Sequence, residues 1–290
     1  MNTPKVYVMG DIHGRFQPVR DFWLRAKLKE KMSHNREDNV LILLGDAGLN
    51  YFFNERDDKI KAKLGTYPFT YFIIRGNHEE RPSNCMKRFP DKWTTEEFWG
   101  GKVFVEKEYP YIKYADDAPE IYHIPYVKIP ACLRDDDEYG NIEYEDLIDT
   151  YTTLVLPGAY SVDKQYRLVM GYSWFENEQM SSDERSLGRL LVKAIEDNDK
   201  ECDLVLSHTC PCIYEPTDLF LPMVDQSMVD KTTERYLGEI EYMLNYKAWM
   251  WGHYHAYRDY PRTDGRKKLM LFHEAVNLNQ FMDEDVPEVL

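Results

Sequence analysis

Two pairs of side chains that can ligate metals are each spaced two residues apart. Asp11 and His13 form the first pair, and His253 and His255 form the second. At an extended strand end, residues two apart point to the same side, so each pair can chelate one cation. Imidazole together with carboxylate suits Mn, Fe, Zn or Ni better than Ca²⁺, which prefers oxygen alone. The spacing therefore predicts a transition-metal site.

Further polar motifs add other ligand types and place glycine beside most of them. The motifs are Gly10–Gly14, Gly45–Asp46, Arg75–Glu79, Ser207–His208 and Gly252–His255. Glycine permits a sharp turn and close backbone approach directly after a strand, where a larger side chain would block a metal or a substrate. One such motif by itself is more often a turn than a ligand, but five in this order indicate a composite site.

Each polar motif directly follows a short apolar run that is typical of a β-strand. The runs are Lys5–Met9, Val40–Leu44, Phe69–Ile74, Leu204–Leu206 and Ala248–Trp251. Helical patterns lie between them, at Phe16–Lys31, Asn54–Leu64, Ser181–Ile195 and Leu237–Leu244. This alternation predicts an α/β fold, in which strand ends of one polarity meet at one rim of the sheet. We therefore expect the five motifs to converge.

The third of these helices carries an explicit start signal. Ser181 and Glu184 are spaced as a capping box, in which each side chain accepts a hydrogen bond from the backbone N–H of the other residue. Apolar residues then recur at helical spacing from Leu187 to Ile195. The helix is predicted to begin at this pair.

Composition places the chain among ordinary globular proteins. Of its 290 residues, 43% are apolar and 30% are charged, and the formal net charge is -15. That charge repels a phosphate backbone, so nucleic acid is not expected as a partner. The five cysteines have no framework spacing, and no apolar run suits a signal peptide or a membrane span. A cytoplasmic protein that contacts no membrane is expected.

A single domain over residues 1–290 is expected, because no repeat, low-complexity tract or flexible linker divides the chain. A Tyr-rich, acidic region at about 109–151 interrupts the pattern of strands and helices and contains the run Asp135–Glu138. Two interpretations of this region stay open, a solvated edge or an insertion that acts as a lid.

The five motifs, in this order, resemble the signature of the calcineurin-like metallophosphoesterase family. That signature is Asp-x-His, then Gly-Asp, then Gly-Asn-His followed by an acid, then a lone His, then Gly-His-x-His. The matching residues run from Asp11 to His255 and so span most of the chain. The resemblance implies a four-layer α/β/β/α sandwich, in which two mixed sheets are flanked by helices.

The resemblance also implies a centre of two divalent transition-metal ions, with Mn expected first and Fe, Zn or Ni as alternatives. The ligands would be Asp11, His13 and His255 for one ion, Asn77, His208 and His253 for the other, and Asp46 as the bridge. The implied reaction is hydrolysis of a phosphomonoester or phosphodiester by a hydroxide that bridges the metals. Asp46 and His78 would be the catalytic residues, with His78 as the general acid.

The second motif departs from the protein serine/threonine phosphatase branch of the family. That branch continues with an acid that orients the catalytic His and an Arg that binds phosphate, where this chain has Leu49 and Asn50. A branch with Gly-Asp-x-Gly and a later Gly-Ala-x-Ser-x-Asp-Lys run is more similar, and residues 158–164 match it. Asn50 and Arg75 are the candidate substrate-binding residues, although Arg75 could instead pair with a carboxylate such as Glu79.

Two other functions stay open. A nuclease of the same superfamily would share every motif, but the net charge of -15 disfavours it. An interaction scaffold would have kept the fold and lost catalysis, whereas all seven ligand positions and His78 are present in this chain.

Overall fold

The α/β pattern forms thirteen strands and seven α-helices in the computed structural model, which describes residues 3–29, 32–128, 147–198, 201–284 and 289–290. The strands are β1 (Lys5–Met9), β2 (Asn39–Leu43), β3 (Thr70–Ile73), β4 (Trp93–Phe98), β5 (Gly101–Glu106), β6 (Ile112–Ala115), β7 (Glu120–Val127), β8 (Ile148–Leu156), β9 (Cys202–Ser207), β10 (Tyr246–Trp251), β11 (Arg258–Asp259), β12 (Lys267–Met270) and β13 (Ala275–Asn277). The helices are α1 (Gln17–Lys29), α2 (Glu55–Leu64), α3 (Pro82–Arg88), α4 (Lys164–Met170), α5 (Ser182–Asp197), α6 (Thr232–Met243) and α7 (Leu278–Asp283).

The strands form two mixed sheets. The first has seven strands in the order β13-β1-β2-β3-β6-β5-β4, and the second has six in the order β11-β12-β10-β9-β8-β7. The centre of the first sheet, from β1 to β6, is parallel, and so is the centre of the second, from β12 to β8. Antiparallel strands complete the edges of both sheets. The parallel centre of each sheet turns its carboxyl ends to one rim.

Alternating side chains along the central strands build three apolar layers. In β1, Val8 packs between the two sheets while Met9 packs against the helices outside the first sheet. In β10, Met250 packs between the sheets while Trp249 packs against the helices outside the second. Because these strands are buried on both faces, they appear in the sequence as continuous apolar runs. The arrangement confirms the predicted four-layer α/β/β/α sandwich.

The predicted elements that flank the polar motifs are present to within a few residues. β1 coincides with the predicted strand, and α5 begins directly after the capping residue Ser181. The sequence pattern does not predict β4 and β5, which form a hairpin at the edge of the first sheet. β4 has the sequence WTTEEF, which contains no apolar run to mark it as a strand.

The described part of the Tyr-rich, acidic region at about 109–151 contributes strands to both sheets. β6 lies beside β3 in the first sheet, and β7 pairs with β8 in the second. The acidic run Asp135–Glu138 lies outside the described residues. The lid and the single-domain boundary stay predictions. No described helix is both long enough and apolar enough to cross a membrane.

The capping box at the start of α5 generates a test of local stability. Ser181 Oγ accepts a hydrogen bond from Glu184 N at 3.2 Å, and Glu184 Oε2 accepts one from Ser181 N at 2.7 Å, which confirms the prediction. Alanine at such a position removes about 1 kcal/mol of folding free energy. Ser181→Ala is therefore expected to lower the free energy of unfolding in urea by this amount.

A matched control lies in the same helix. Ser186 is exposed on α5, and its hydroxyl bonds only to the helix backbone at Ser182 O. Ser186→Ala should change the free energy of unfolding by less than about 0.5 kcal/mol. Equal effects from the two serines would contradict the capping role of Ser181.

Candidate metal centre

Five strand ends bring the predicted ligands into one cluster between the two sheets. Asp11 and His13 follow β1, Asp46 follows β2, Asn77 and His78 follow β3, His208 follows β9, and His253 and His255 follow β10. Backbone hydrogen bonds join neighbouring loops, because His13 N donates to Asp46 O at 2.8 Å and Gly252 N donates to His208 O at 2.9 Å. The motifs converge at one rim, as their order along the chain predicts.

Asp46 is the point at which three of these loops meet. Its Oδ1 accepts hydrogen bonds from the backbone N–H groups of Asn77 and His78, each at 2.8 Å. His208 Nε2 lies 3.5 Å from the same oxygen. The other oxygen, Oδ2, lies 4.0 Å from His13 Nδ1 and 4.0 Å from His78 Nδ1. This central position is the one that a bridging ligand requires.

Atoms that carry lone pairs face each other across the cluster. His13 Nε2 lies 2.7 Å from His255 Nε2, and His208 Nε2 lies 2.9 Å from Asn77 Oδ1. Because Leu44 O is an acceptor and lies 2.7 Å from His208 Nδ1, that nitrogen carries the proton of a neutral His208 ring and Nε2 carries the lone pair. Both distances are also those of hydrogen bonds in which the donor depends on the tautomer, and nitrogen and oxygen atoms this close together could share one cation.

Asp11 has one oxygen that no hydrogen bond satisfies. Its Oδ1 accepts from His253 N at 3.0 Å, whereas the buried Oδ2 has no hydrogen-bond partner among the described residues. Oδ2 lies 3.5 Å from His255 Nε2 and 3.7 Å from His13 Nε2. A buried carboxylate oxygen without a donor is destabilising unless a cation compensates it. Two groups of side chains could each hold such a cation, namely Asp11, His13 and His255, and Asp11, Asp46 and His208.

The backbone is strained at four of the predicted ligands. The φ angle is 47° at His13, 44° at Asp46, 70° at His253 and 53° at His255. Such left-handed angles are uncommon outside glycine and are destabilising by about 1 kcal/mol or more each. Elsewhere in the described chain, Phe53 and Trp99 are the non-glycine residues that share them. Strain concentrated in this way is characteristic of a functional site, where the fold fixes the direction of side chains.

Glycine is required where ligand side chains pass close to the backbone. A Cβ atom at Gly76 would lie 2.1 Å from Asp46 Oδ1, and one at Gly45 would lie 2.1 Å from His208 Nδ1. Either contact would displace a side chain of the cluster. The glycines beside the motifs therefore make room for the predicted ligands, as expected from their position in the sequence.

Burial and charge set the protonation of the cluster. Burial opposes a charge on His208, but the carboxylates of Asp46 and Asp11 outweigh it and raise the pKa of His208 to about 9. At His253, burial and the nearby His208 lower the pKa to about 3, which leaves a neutral ring with a free lone pair. Burial would raise the pKa of Asp46, but His78 and His208 hold it well below its usual range. An ionised carboxylate and a neutral imidazole are the forms that bind metals, so a metal ion would have to displace the proton that these carboxylates hold on His208.

A sixth strand end, that of β8, supports the cluster from behind. Ser161 Oγ accepts a hydrogen bond from Asn77 Nδ2 at 2.9 Å and donates one to Glu178 Oε2 at 2.5 Å. Trp174 Nε1 donates to the same oxygen of Glu178 at 2.9 Å. These bonds turn Asn77 Oδ1 toward the imidazoles. The segment 158–164, which the sequence marks only as a branch pattern, thus positions a predicted ligand.

Arg167 lies beside His78, a contact that the sequence does not predict. Arg167 Nη2 lies 2.7 Å from His78 Nδ1, and its Nε donates to Asp163 Oδ1 at 2.8 Å. Arg167 Nη1 donates to Tyr51 OH at 3.0 Å, and Asp163 Oδ1 lies 4.0 Å from His78 Nε2. A tethered cation and a carboxylate therefore flank His78. The only sequence signal is an Asp and an Arg four residues apart, which is common on helices.

Asn50 and Arg75 are buried outside the cluster, each only 2% exposed. Arg75 Nη1 donates to Glu178 O at 2.6 Å, and its Nε lies 3.6 Å from Asp117 Oδ1. Asn50 lines a different cavity, of about 110 Å³. Both side chains are buried away from the cluster, and the expectation that they bind a substrate stays a prediction. The carboxylate beside Arg75 is Asp117 rather than Glu79.

The sequence matches the family model described as calcineurin-like phosphoesterase over residues 4–257. Because the match covers most of the chain, this protein belongs to the calcineurin-like phosphoesterase family. Its class is that of the metal-dependent phosphoesterases, and the cluster supplies groups of side chains that could bind metal. The branch within the family stays a prediction.

Solved structures are similar to this chain in fold. The protein TT1561 of Thermus thermophilus has a TM-score of 0.50 at 9% identity, with 100% of this chain and 99% of that chain covered. A dimetal phosphatase from Danio rerio has a TM-score of 0.47 at 10% identity, with 96% and 93% covered. A phosphopantetheinyl hydrolase from Mycobacterium tuberculosis has a TM-score of 0.42 at 12% identity, with 93% and 90% covered. No curated protein is significantly similar in sequence.

The close approach at Gly76 predicts a defect in metal binding. In Gly76→Ala, the new Cβ would have to displace the Asp46 carboxylate, since the two would otherwise lie 2.1 Å apart. Disturbing the surroundings of a metal ligand typically weakens metal affinity by about ten- to a hundredfold. We expect a loss in this range when Mn²⁺ is titrated into the metal-free protein by calorimetry.

Gly238→Ala is the matched control. Gly238 lies in α6, and a Cβ atom there would meet nothing within 4 Å. This variant should bind Mn²⁺ as the unaltered protein does. Unchanged Mn²⁺ affinity in Gly76→Ala would show that metal binding does not require the Asp46 carboxylate in its observed position.

Proposed function

We propose that this protein hydrolyses phosphate esters with two divalent transition-metal ions, Mn first among them, held at the cluster. One observation chiefly supports the proposal. Carboxylate, amide and imidazole atoms from five strand ends converge at 2.7 to 3.5 Å, and the side chains of Asp11, Asp46, Asn77 and His208 among them are buried. The proposed ligands are Asp11, His13, Asp46, Asn77, His208, His253 and His255.

When bound, the two ions would neutralise charge on the phosphoryl oxygens and acidify a water molecule that serves as the nucleophile. The chain's own residues orient the reactants. Asp46 lies between the two halves of the cluster and holds the backbone of the Asn77–His78 loop in place. Asn77 in turn has its amide orientation set by Ser161. The site is therefore preorganised before an ester arrives.

His78 is proposed as the general acid that protonates the leaving group. Its side chain is 21% exposed and lines both of the cavities that flank the cluster, so a departing oxygen can reach it. The Asp163 carboxylate lies 4.0 Å from Nε2 of His78 and is proposed to orient the ring, while the Arg167 guanidinium lies 2.7 Å from Nδ1. Asp163 would thus act in place of the acid that is absent after Asp46.

Arg167 is proposed as the phosphate-binding cation. Its guanidinium is held by Asp163 and Tyr51, and it lines a cavity of about 440 Å³ together with His13 and His78. A planar guanidinium presents paired donors that match phosphate oxygens. Because the cation is already tethered, little further side-chain ordering is needed when the phosphate binds.

The activity test compares metals and esters. The purified protein is stripped with a chelator, its metal content is measured, and it is reloaded with Mn, Zn, Fe, Ni or Mg. Metal-dependent hydrolysis of p-nitrophenyl phosphate or bis(p-nitrophenyl) phosphate is expected. Faster hydrolysis of the first would indicate a phosphomonoesterase, and faster hydrolysis of the second would indicate a phosphodiesterase. Faster cleavage of DNA would indicate a nuclease. A metal-loaded protein that hydrolyses none of them would indicate a scaffold and overturn the proposal.

The role of His78 predicts a split between metal binding and turnover. His78→Gln should keep both ions and lower kcat by about two to four orders of magnitude, the usual range for loss of a general acid. Asp46→Asn should instead lower the metal content, because a neutral amide bridges two cations poorly. Metal analysis and steady-state kinetics on both variants check these outcomes, and full turnover by His78→Gln would remove that residue from the mechanism.

The role of Arg167 predicts weaker substrate recognition without loss of metal. Hydrogen bonds to charged groups contribute about 1.5–3 kcal/mol, so Arg167→Met should lower kcat/KM by about ten- to a hundredfold. Arg167→Lys should recover part of the loss, since it restores the charge without the paired donors. Arg189→Met is the control, because Arg189 lies on α5 and pairs with Glu239. Equal kcat/KM values for the Arg167 and Arg189 variants would exclude the phosphate contact.

A further inference from the structure

A second cavity, of about 390 Å³, opens beside the cluster, and Arg167 is not among the residues that line it. Asp46, Asn77, His78, His253 and His255 form one end of it. Much of the remaining wall is apolar and comes largely from the segment between β9 and α6. Its apolar side chains are Val162, Leu219, Phe220, Leu221, Val224 and Val229.

This wall exposes apolar side chains in a concave position beside the cluster. Leu219 is 44% exposed and Leu221 is 61% exposed. Between them, Phe220 is held by a stacked contact with Tyr254 at 6.3 Å and by Lys231, whose Nζ lies 4.7 Å from the ring centroid. Apolar side chains that line a concave site beside polar groups are characteristic of small-molecule binding.

The charged groups in this cavity offer little to a second phosphate. Among the described residues that line it, Lys231 is the only lysine or arginine, and its Nζ already donates to Glu215 Oε1 at 2.5 Å. Glu234 lies nearby and is buried. The cavity around Arg167 differs, since Arg56 and Lys59 line it as well. Anionic groups are therefore favoured on one side of His78 and apolar groups on the other.

We infer that the 390 Å³ cavity binds the organic part of the substrate and that this part is apolar or aromatic. The inference rests on the proposed function, because the phosphate must lie at the cluster for the organic group to reach the wall. Its volume lies within the range of pockets that enclose a small organic molecule, about 300–1,000 Å³. The substrate class is accordingly phosphate esters of apolar or aromatic alcohols, rather than nucleotides with further phosphates.

The test compares 1-naphthyl phosphate with glycerol 2-phosphate on the Mn-loaded protein and on the double variant Leu219→Ser/Leu221→Ser. Both leucines are exposed, so the fold should be retained, and unchanged metal content verifies this. In the double variant, the ratio of kcat/KM for 1-naphthyl phosphate to kcat/KM for glycerol 2-phosphate should fall by about tenfold or more. Each ester is compared with itself across the two proteins, so the different reactivity of the two leaving groups cancels.

Two single variants make the result specific. Met223 is 96% exposed in the same segment and does not line the cavity, so Met223→Ser should keep both activities. Phe52 lines the opposite cavity.

The inference is overturned if Phe52→Ser, rather than the double leucine variant, lowers the preference for the naphthyl ester. It is also overturned if the double variant loses equally on both esters, a result that would leave the proposed hydrolysis intact. Failure of the unaltered protein to hydrolyse either ester with any metal would overturn the proposed function together with the inference.

Discussion

The hydrogen bonds to the Asp46 carboxylate are the interaction on which the rest of the site depends. One oxygen holds the backbone of Asn77 and His78, and the backbone carbonyl of the same residue holds His13, so one aspartate ties together loops from three neighbouring strands. This arrangement requires the φ angle of 44° at Asp46 and the absence of a side chain at Gly76. With that carboxylate ionised at the centre, several imidazoles can gather around it, because their attraction to it offsets the loss of their hydration.

The two sheets contribute different ligand types to the cluster, and the packing of the sheets sets the distance between the ligands from one sheet and those from the other. The first sheet supplies the carboxylates and the amide, whereas three of the imidazoles come from the second. His208 crosses the boundary, since its Nδ1 bonds to Leu44 O in the first sheet. The apolar layer between the sheets, which includes Val8 and Met250, therefore determines the spacing of the proposed ligands as much as the loops do. Binding of metal ions to the folded state would in turn stabilise this packing by mass action.

Residues outside the five metal-ligand motifs complete the surroundings of the cluster. Ser161, Asp163 and Arg167 follow β8 and act on Asn77 and His78, although they come from a distant part of the chain. The segment before α6 supplies an apolar wall on the other side. The five motifs supply the proposed metal ligands, whereas these two segments surround the space in which an ester would lie under the proposed function. The residues proposed to select the substrate are thus largely separate from those proposed to bind metal.

The sequence by itself determined the α/β class and the residue types of the cluster, because central strands buried on both faces leave continuous apolar runs and each motif follows one of them. The four-layer sandwich was predicted only through the resemblance of the motifs to the family signature. The spacing of Ser181 and Glu184 likewise determined where α5 begins, since a capping box is a local interaction. Only the tertiary structure decided which groups flank His78, and it buried Arg75 beside Asp117 where the sequence left substrate contact open. It also formed the β4–β5 edge hairpin, whose polar strand gives no periodic signal. The contacts of His78 and Arg75 join residues far apart in the chain, and neither periodicity nor short-range spacing encodes which distant side chain will lie opposite another.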